Sequence, residues 1–325
     1  MTTNPKLEVF RIELIAQNDE HKTFRNFFTE SLNGTAGQTD TQLFTNFFQD
    51  FIRKVDTNDF IDNSRKKKVF AAYNARNYDG TIKHHSEINV IKGIIEGGRY
   101  GKRRNKSKLT NKNELQDIET NDIILDKFFF CLYTPLNYDV GILMIQSYSS
   151  DSITDIFTEF LQNYFKKENY YKKPKIERFF PRHIIEQFKL HSNIDKFSFS
   201  NRFFVSQLSD EPYQQEEEEF VVKIEAVSKN GLPKAALSNW LNVLGQKLFD
   251  NTNLSSFSNR KVYLKNEQTK KSSPFVLDEN EIRPIIYLEN HGIEVSIDGL
   301  PNFSQLETFC ENLLVQQIIP EIFPS

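Results

Sequence analysis

The residues in this chain with the clearest capacity for chemistry are cations. Between positions 92 and 112 stand Lys92, Arg99, Lys102, Arg103, Arg104, Lys106, Lys108 and Lys112, with Glu96 as the single acid. Gly93, Gly97, Gly98 and Gly101 are interleaved among them. Glycines let backbone N–H groups approach a phosphate closely, and clustered lysines and arginines neutralise a phosphate backbone and release its counterions. The segment therefore reads as a basic, glycine-loosened loop, with Arg99, Lys102, Arg103, Arg104, Lys106 and Lys108 as its phosphate contacts. It is not a Walker A loop. Only three residues separate Gly97 from Gly101-Lys102, and Arg103 stands where Ser or Thr should hold magnesium.

A second basic stretch carries Lys166, Lys167, Lys172, Lys173, Lys175, Arg178 and Arg182, with Tyr164, Tyr170, Tyr171, Phe179 and Phe180 among them. Cations that track phosphates beside aromatics that stack on bases are the ingredients of single-strand recognition. The plainer readings are a solvated loop for the first segment and a linker with core-facing aromatics for the second. The two segments reinforce each other only where folding brings them to one face.

Arg178 and His183 have the spacing Arg-x4-His, which over six residues resembles the pair of HEPN-type ribonucleases. The resemblance implies a catalytic pair acting on the RNA backbone from one helix. Pro181 lies inside the spacing, where a helix interior does not accept it.

No cofactor or metal site is expected. His84, His85 and Glu87 are close in sequence, but adjacent residues of a strand point to opposite faces. No GxSxG, HExxH, GxGxxG or kinase motif is present. The only ExK, at Glu20-His21-Lys22, falls at a helix start rather than on a nuclease strand. Cys131 and Cys310 sit in apolar runs and read as buried thiols, consistent with a reducing cytoplasm. The start of the chain lacks a signal-peptide pattern, and no apolar run is long enough to cross a bilayer.

The net charge of −3 conceals an asymmetry. Residues 1–189 hold 29 Lys and Arg against 25 Asp and Glu, while residues 190–325 hold 12 against 19. Such a division points to nucleic acid or to a charged protein partner. The acidic C-terminal half is a candidate surface for a basic protein, or a cover for the chain's own basic loop.

The elements that must position these residues predict an α+β fold of antiparallel sheets with packed amphipathic helices. Residues 7–16 and 69–74 read as strands, 85–101 as extended chain, and 122–134 with 140–148 as a hairpin. Helices follow from the stripes Phe24, Phe27, Phe28 and Leu32, from Leu43 to Ile52 behind a Thr39/Gln42 capping box, and from Ile153 to Phe165. In the second half, strands are expected at 196–206, 219–228, 260–265, 283–289 and 293–297, with an acidic loop at Glu216 to Glu219. Helices are expected behind Pro233 and over Leu306 to Leu314, the last stopped by Pro320. This order suggests a ferredoxin-like, split-βαβ C-terminal half. The expected domains are 1–168, a basic-aromatic connector at 169–194, and 195–325.

The composition and charge favour a non-enzymatic nucleic-acid-binding or sensing protein of the cytoplasm, without a membrane segment. Its motif-poor, AT-rich character suits an accessory system of prokaryotes such as antiphage defence, an inference from context rather than from any residue. The alternatives are an interaction subunit of a larger complex and a ribonuclease toxin using Arg178 and His183.

Overall fold

In KLEVFRIELIA, Phe10, Ile12 and Leu14 fall in one phase of the pleat and Leu7 and Val9 in the other, so Lys6–Ala16 extends as β1 with apolar residues on both faces. The computed structural model describes residues 4–17, 23–31, 37–73, 82–108, 110–148, 152–168, 170–208, 215–233, 243–244, 257–267, 270, 272–276 and 281–324. Two compact units result: Met1–Phe179 with Ile286–Ser325, and Phe180–Ile285. The segment Ile286–Ser325, read from sequence as part of a C-terminal domain, thus belongs to the first unit. The overall class is α+β with antiparallel sheets.

The first unit is built on a large sheet. Its further strands are β2 (Ile61–Asn63), β3 (Lys68–Ala72), β4 (Lys83–His85), β5 (Val90–Arg99), β8 (Ile124–Tyr133), β9 (Val140–Ser147) and β10 (Tyr171–Arg178). They run in the order β10-β1-β9-β8-β5-β3-β2, all antiparallel, with β4 beside β5 and Ile286–Tyr287 beside β1. Antiparallel order follows from short connections, since no crossover helix separates most neighbours.

Three helices cover one face: α1 (Phe24–Ser31), α2 (Asp40–Val55) and α3 (Thr154–Tyr164). The capping box that starts α2 is formed, Thr39 and Gln42 each satisfying the other's backbone N–H. The phenylalanines behave as core. Phe24, Phe28, Phe44, Phe47, Phe51, Phe70, Phe130, Phe157 and Phe165 are fully buried, and most neighbouring pairs meet edge-on or tilted. Each ring so placed contributes roughly 1.5–3 kcal/mol through burial alone.

The opposite face carries α5 (Phe303–Leu313), whose Leu306, Cys310 and Leu313 are buried. Lys92 of β5 reaches across to Glu307 and Glu311 of this helix. Pro320 does not end the helical chain, as the sequence suggested. A π-helical stretch over Leu314–Ile318 resets the hydrogen-bond pattern, and Pro320 then falls in the first turn of a new segment, Ile319–Ile322. A missing N–H is tolerated in a first turn.

Further departures from expectation have simple causes. The basic segment 92–112 is not a loop: Gly93, Gly97 and Gly98 lie inside β5, and Arg104–Lys108 (β6) pairs with Asn111–Ile118 (β7) as an exposed hairpin. The connector is likewise structured, because Tyr171–Arg178 completes its backbone bonds against β1 as strand β10. Residues 283–289 give only the two-residue rung at Ile286–Tyr287 and a 3-10 turn, and 293–297 only an isolated bridge from Val295 to Pro301.

The second unit contains α4 (Arg182–Leu190) and a five-stranded antiparallel sheet. Its strands are β11 (Ser192–Leu208), β12 (Gln215–Leu232), β13 (Asn259–Asn266), β14 (Ser272–Val276) and β15 (Glu281–Ile282), in the order β12-β11-β13-β14-β15. Glu216 to Glu219 form the start of β12 rather than a loop, opposite Gln207 to Phe204. The core is Ile194, Phe197, Phe199, Val262 and Leu264, with Ile185 and Phe188 of α4 packed against it. β12 and β13 flank β11 and share a direction. The helix read behind Pro233, with Leu237, Trp240, Leu241 and Leu248, lies outside the described residues apart from 243–244, as do the turn signals Asn33-Gly34 and Asp79-Gly80. No helix among the described residues is long and apolar enough to cross a membrane.

Candidate nucleic-acid interface

The site follows from what happens when the apolar phase of several strands runs beyond the helices that cover it. In β1, the phase Leu14, Ile12, Phe10 continues into Glu8 and Lys6. In β3, Ala72 and Phe70 continue into Lys68. In β5, Ile91 and Ile95 continue through Gly97 into Arg99. Antiparallel pairing brings these charged ends to the same end of the sheet, where α3 begins. Arg178, at the end of β10, stands opposite Phe10 and therefore on the same face.

A cavity of about 440 Å³ is lined there by Lys6, Glu8, Phe10, Lys68, Arg99, Tyr148, Ser152, Thr154, Asp155, Thr158 and Arg178. Glu8, only 7% exposed, is held by two donors and one further cation. Arg178 donates to it, Thr154 Oγ1 donates at 2.8 Å, and Lys6 Nζ lies 3.8 Å away. The Arg178 guanidinium also lies over the Phe10 ring, 5.9 Å from its centre. Lys68 Nζ donates to Asp155 Oδ1 at 2.7 Å and to the Ser152 carbonyl at 2.8 Å. Asp155 is shared with Lys66 Nζ at 3.6 Å, which also reaches Glu159 at 2.9 Å. That bond to Lys66 holds the Glu159 carboxyl below its usual range. Burial pushes the Tyr148 phenol up to about 12, so it stays a hydroxyl at neutral pH and donates to the Lys127 carbonyl.

A second cavity, of about 310 Å³, shares Arg99 with the first. Its charged lining is Lys66, Lys67, Lys102, Arg104, Asp122 and Asp126. Together the two cavities present eight cations, namely Lys6, Lys66, Lys67, Lys68, Arg99, Lys102, Arg104 and Arg178, against four carboxylates. The whole chain carries a net −3, so this is a local concentration of positive charge and not a reflection of average composition.

The structure sorts the residues expected from sequence. Arg99, Lys102 and Arg104 of the first basic segment and Arg178 of the second line this connected pair of cavities. Arg103, Lys106 and Lys108 lie outside both; Arg103 is 3.6 Å from Asp117 and Lys108 is 2.6 Å from Glu114 across the hairpin. Lys172, Lys173 and Lys175 are exposed towards the start and middle of β10, with Lys175 paired to Glu177 at 2.9 Å. Arg182 and His183 begin α4 in the second unit, whereas Arg178 is in a strand of the first. The single-helix Arg-x4-His arrangement is therefore not formed. Backbone pairing of β10 with β1 extends through Arg178, and Pro181 precedes the helix.

Gly97 and Gly98 are constrained by packing. A Cβ on Gly97 would stand 2.5 Å from the Val69 carbonyl oxygen and 3.1 Å from Ile153 Cγ2, and one on Gly98 would stand 1.8 Å from the Ile124 carbonyl oxygen. These two glycines let β3, β8 and the lead-in to α3 close on β5, while Gly101 turns at positive φ and lines the second cavity.

Lys92 is also not a surface cation. It is 3% exposed, between Glu307 and Glu311. Burial alone would lower its pKa, but the two carboxylates together outweigh that and raise it. His85, Glu307 and Glu311 have ligand atoms within 4.8 Å of one another, a spacing that suits a metal ion. The Lys92 ammonium already occupies the position between the carboxylates and serves as their counter-charge.

Sequence reasoning passed over Lys66, Lys67 and Lys68, although Arg65-Lys66-Lys67-Lys68 is an uninterrupted run of four cations. It also passed over Lys6, Glu8, Tyr148, Thr154, Asp155 and Thr158. Glu8 had a signal: it is a charge in the apolar phase of an alternating strand. Comparison with known proteins finds no matching family model and no matching curated protein.

Proposed function

We propose that the first unit binds nucleic acid through its phosphate backbone, along the two cavities that share Arg99. The observation that supports this reading is the convergence of cations from five strands and two turns around one end of the large sheet, in excess over the local carboxylates. Four of these cations are positioned by internal ion pairs or hydrogen bonds, which lowers the entropy lost on engaging a ligand. Backbone binding of this kind is electrostatic and carries no sequence information by itself.

The test is fluorescence polarisation of labelled single- and double-stranded DNA and RNA across a salt series. An excess of four positive charges corresponds to a slope of log K against log salt of about −3 to −4. Flat traces for every probe at low salt would remove the reading and leave the protein-interaction alternative. That alternative has one observation in its favour, the exposure of Phe220, Val221, Val222 and Val227 along β12.

A further inference from the structure

The hairpin of β6 and β7 stands apart from the core that accounts for the rest of the first unit. β6 is exposed throughout and β7 at every residue but Ile118, so neither face of the ribbon is buried. Its root lies at the second cavity, where Arg104 and Ile118 form part of the lining together with Lys66, Lys67 and Lys102. Four regular rungs run outward from there: Arg104 opposite Ile118, Asn105 opposite Asp117, Lys106 opposite Gln116 and Ser107 opposite Leu115. Directly opposed residues share a face, and successive rungs alternate between faces. One face therefore carries Arg104, Ile118, Lys106 and Gln116, and the other carries Asn105, Asp117, Ser107 and Leu115.

The two faces differ in charge. Asp117 belongs to the second face, where Arg103 lies 3.6 Å from it. Beyond the regular rungs, Glu114 is paired with Lys108 at 2.6 Å. On the first face no acid offsets Arg104 and Lys106 within the four rungs. Among the described residues, the side chains of Arg104, Lys106 and Gln116 have no partner within the protein. These are side chains of the kinds that read base edges: arginine and lysine donate to guanine O6 and N7, and glutamine pairs with adenine N6 and N7. The cation-lined cavity at the root is continuous with this face, so a phosphate backbone held there lies beside it.

The form of the nucleic acid follows from the same residues. Single-strand sites stack bases on aromatic rings, and residues 101–118 contain none. The major groove of B-form DNA, about 12 Å wide, admits a two-stranded ribbon, whereas that of A-form RNA is too narrow for side chains to read. The four rungs at about 3.4 Å each cover about 14 Å, the length of about four base pairs. We infer that β6 and β7 enter the major groove of B-form DNA and that Arg104, Lys106 and Gln116 contact base edges there. The inference rests on the proposed backbone binding and adds to it the duplex form and a source of sequence preference.

The experiment selects duplex DNA from a library with a randomised core on the full chain. It then titrates the selected duplex, its separate strands and the RNA duplex of the same sequence at constant salt. The expected result is a preferred motif of about four base pairs, bound about tenfold tighter than the single strands and the RNA duplex. Gln116→Ala should relax the motif at one position by about tenfold. This exposed residue lies outside both cavities and carries no charge, so its loss is read in the motif and not in the salt slope. Lys102→Gln, which lines the second cavity outside the ribbon, should weaken every sequence about equally and leave the motif in place. Enrichment of no motif, with salt-dependent binding of every duplex, would overturn the reading of bases by the ribbon and leave backbone binding standing. A motif that Gln116→Ala and Arg104→Gln both leave unchanged would do the same, as would tighter binding of the single strands or of the RNA duplex. Absence of binding to any DNA or RNA at low salt would overturn the backbone reading and this inference together.

Discussion

Arg99 is the residue on which the two cavities depend in common, and replacing it separates this account from a general effect of positive charge. Arg99 is exposed at the end of β5 and lines both cavities, so Arg99→Gln removes charge without opening the core. Each phosphate contact contributes about 0.7–0.9 to the salt slope, which between 1 M and 0.15 M salt amounts to about four- to sixfold in affinity. Arg99 carries one charge and so neutralises one phosphate, and its replacement should therefore cost about four- to sixfold at 0.15 M and flatten the slope by about 0.7–0.9. The control is Lys172→Gln. This lysine lies six residues along β10 from Arg178, about 20 Å at roughly 3.3 Å per residue. With a Debye length of about 8 Å, under a tenth of its influence remains at that distance, so the variant should change affinity less than about 1.5-fold. Polarisation titrations at several salt concentrations read both quantities, and unchanged melting curves certify the fold. A Lys172→Gln variant that loses as much as Arg99→Gln would refute the assignment of the interface to these cavities.

Three other predictions concern the scaffold. Gly97→Ala should cost about 1–3 kcal/mol in chemical denaturation, because its Cβ meets the Val69 carbonyl oxygen at 2.5 Å; unchanged stability would restore a ligand-facing role for that glycine. Lys92→Met should leave Glu307 and Glu311 without their counter-charge and cost about 1–3 kcal/mol, seen as faster hydrogen exchange across Phe303–Leu313. Since the Lys92 pKa is raised in the fold, its contribution is complete below the ordinary value of 10.5 and is lost only as pH climbs through the raised one. His84 stacks on Phe48 at 4.3 Å, and burial followed by the neighbouring His85 lowers its pKa from the usual 6.5. Its neutral form is the one the fold prefers, so stability should be fully present above about pH 6.5 and decline as pH falls through the lowered value, a loss that His84→Gln should lack in pH-dependent melts.

Much of the scaffold was legible in the sequence because its signals are local. The Thr39/Gln42 capping box, the Phe stripes of α1 and α2 and the β8–β9 hairpin depend on residues a few positions apart. The candidate site was legible only in part. Arg99, Lys102, Arg104 and Arg178 were identified as cations, but their company was not. Lys6, Lys68 and Glu8 join them only through the strand order β10-β1-β9-β8-β5-β3, a long-range pairing that no local pattern specifies. The glycines illustrate the converse. Their density beside lysines resembles a phosphate loop, whereas steric closeness to Val69, Ile124 and Ile153 accounts for Gly97 and Gly98. The final helix was recognised from its stripe, yet its place on the first unit was not, and Lys92, a cation read at first as part of a surface loop, pairs with it there.

The most direct test of the central claim is to locate the ligand on the chain. An oligonucleotide carrying photoreactive bases, crosslinked to the full-length protein and mapped by mass spectrometry of the peptides, should mark residues 65–68 and 98–104, with further marks near Lys6 and Arg178. Crosslinks confined to β11 and β12 of the second unit, or to the Lys172–Lys175 part of β10, would contradict it.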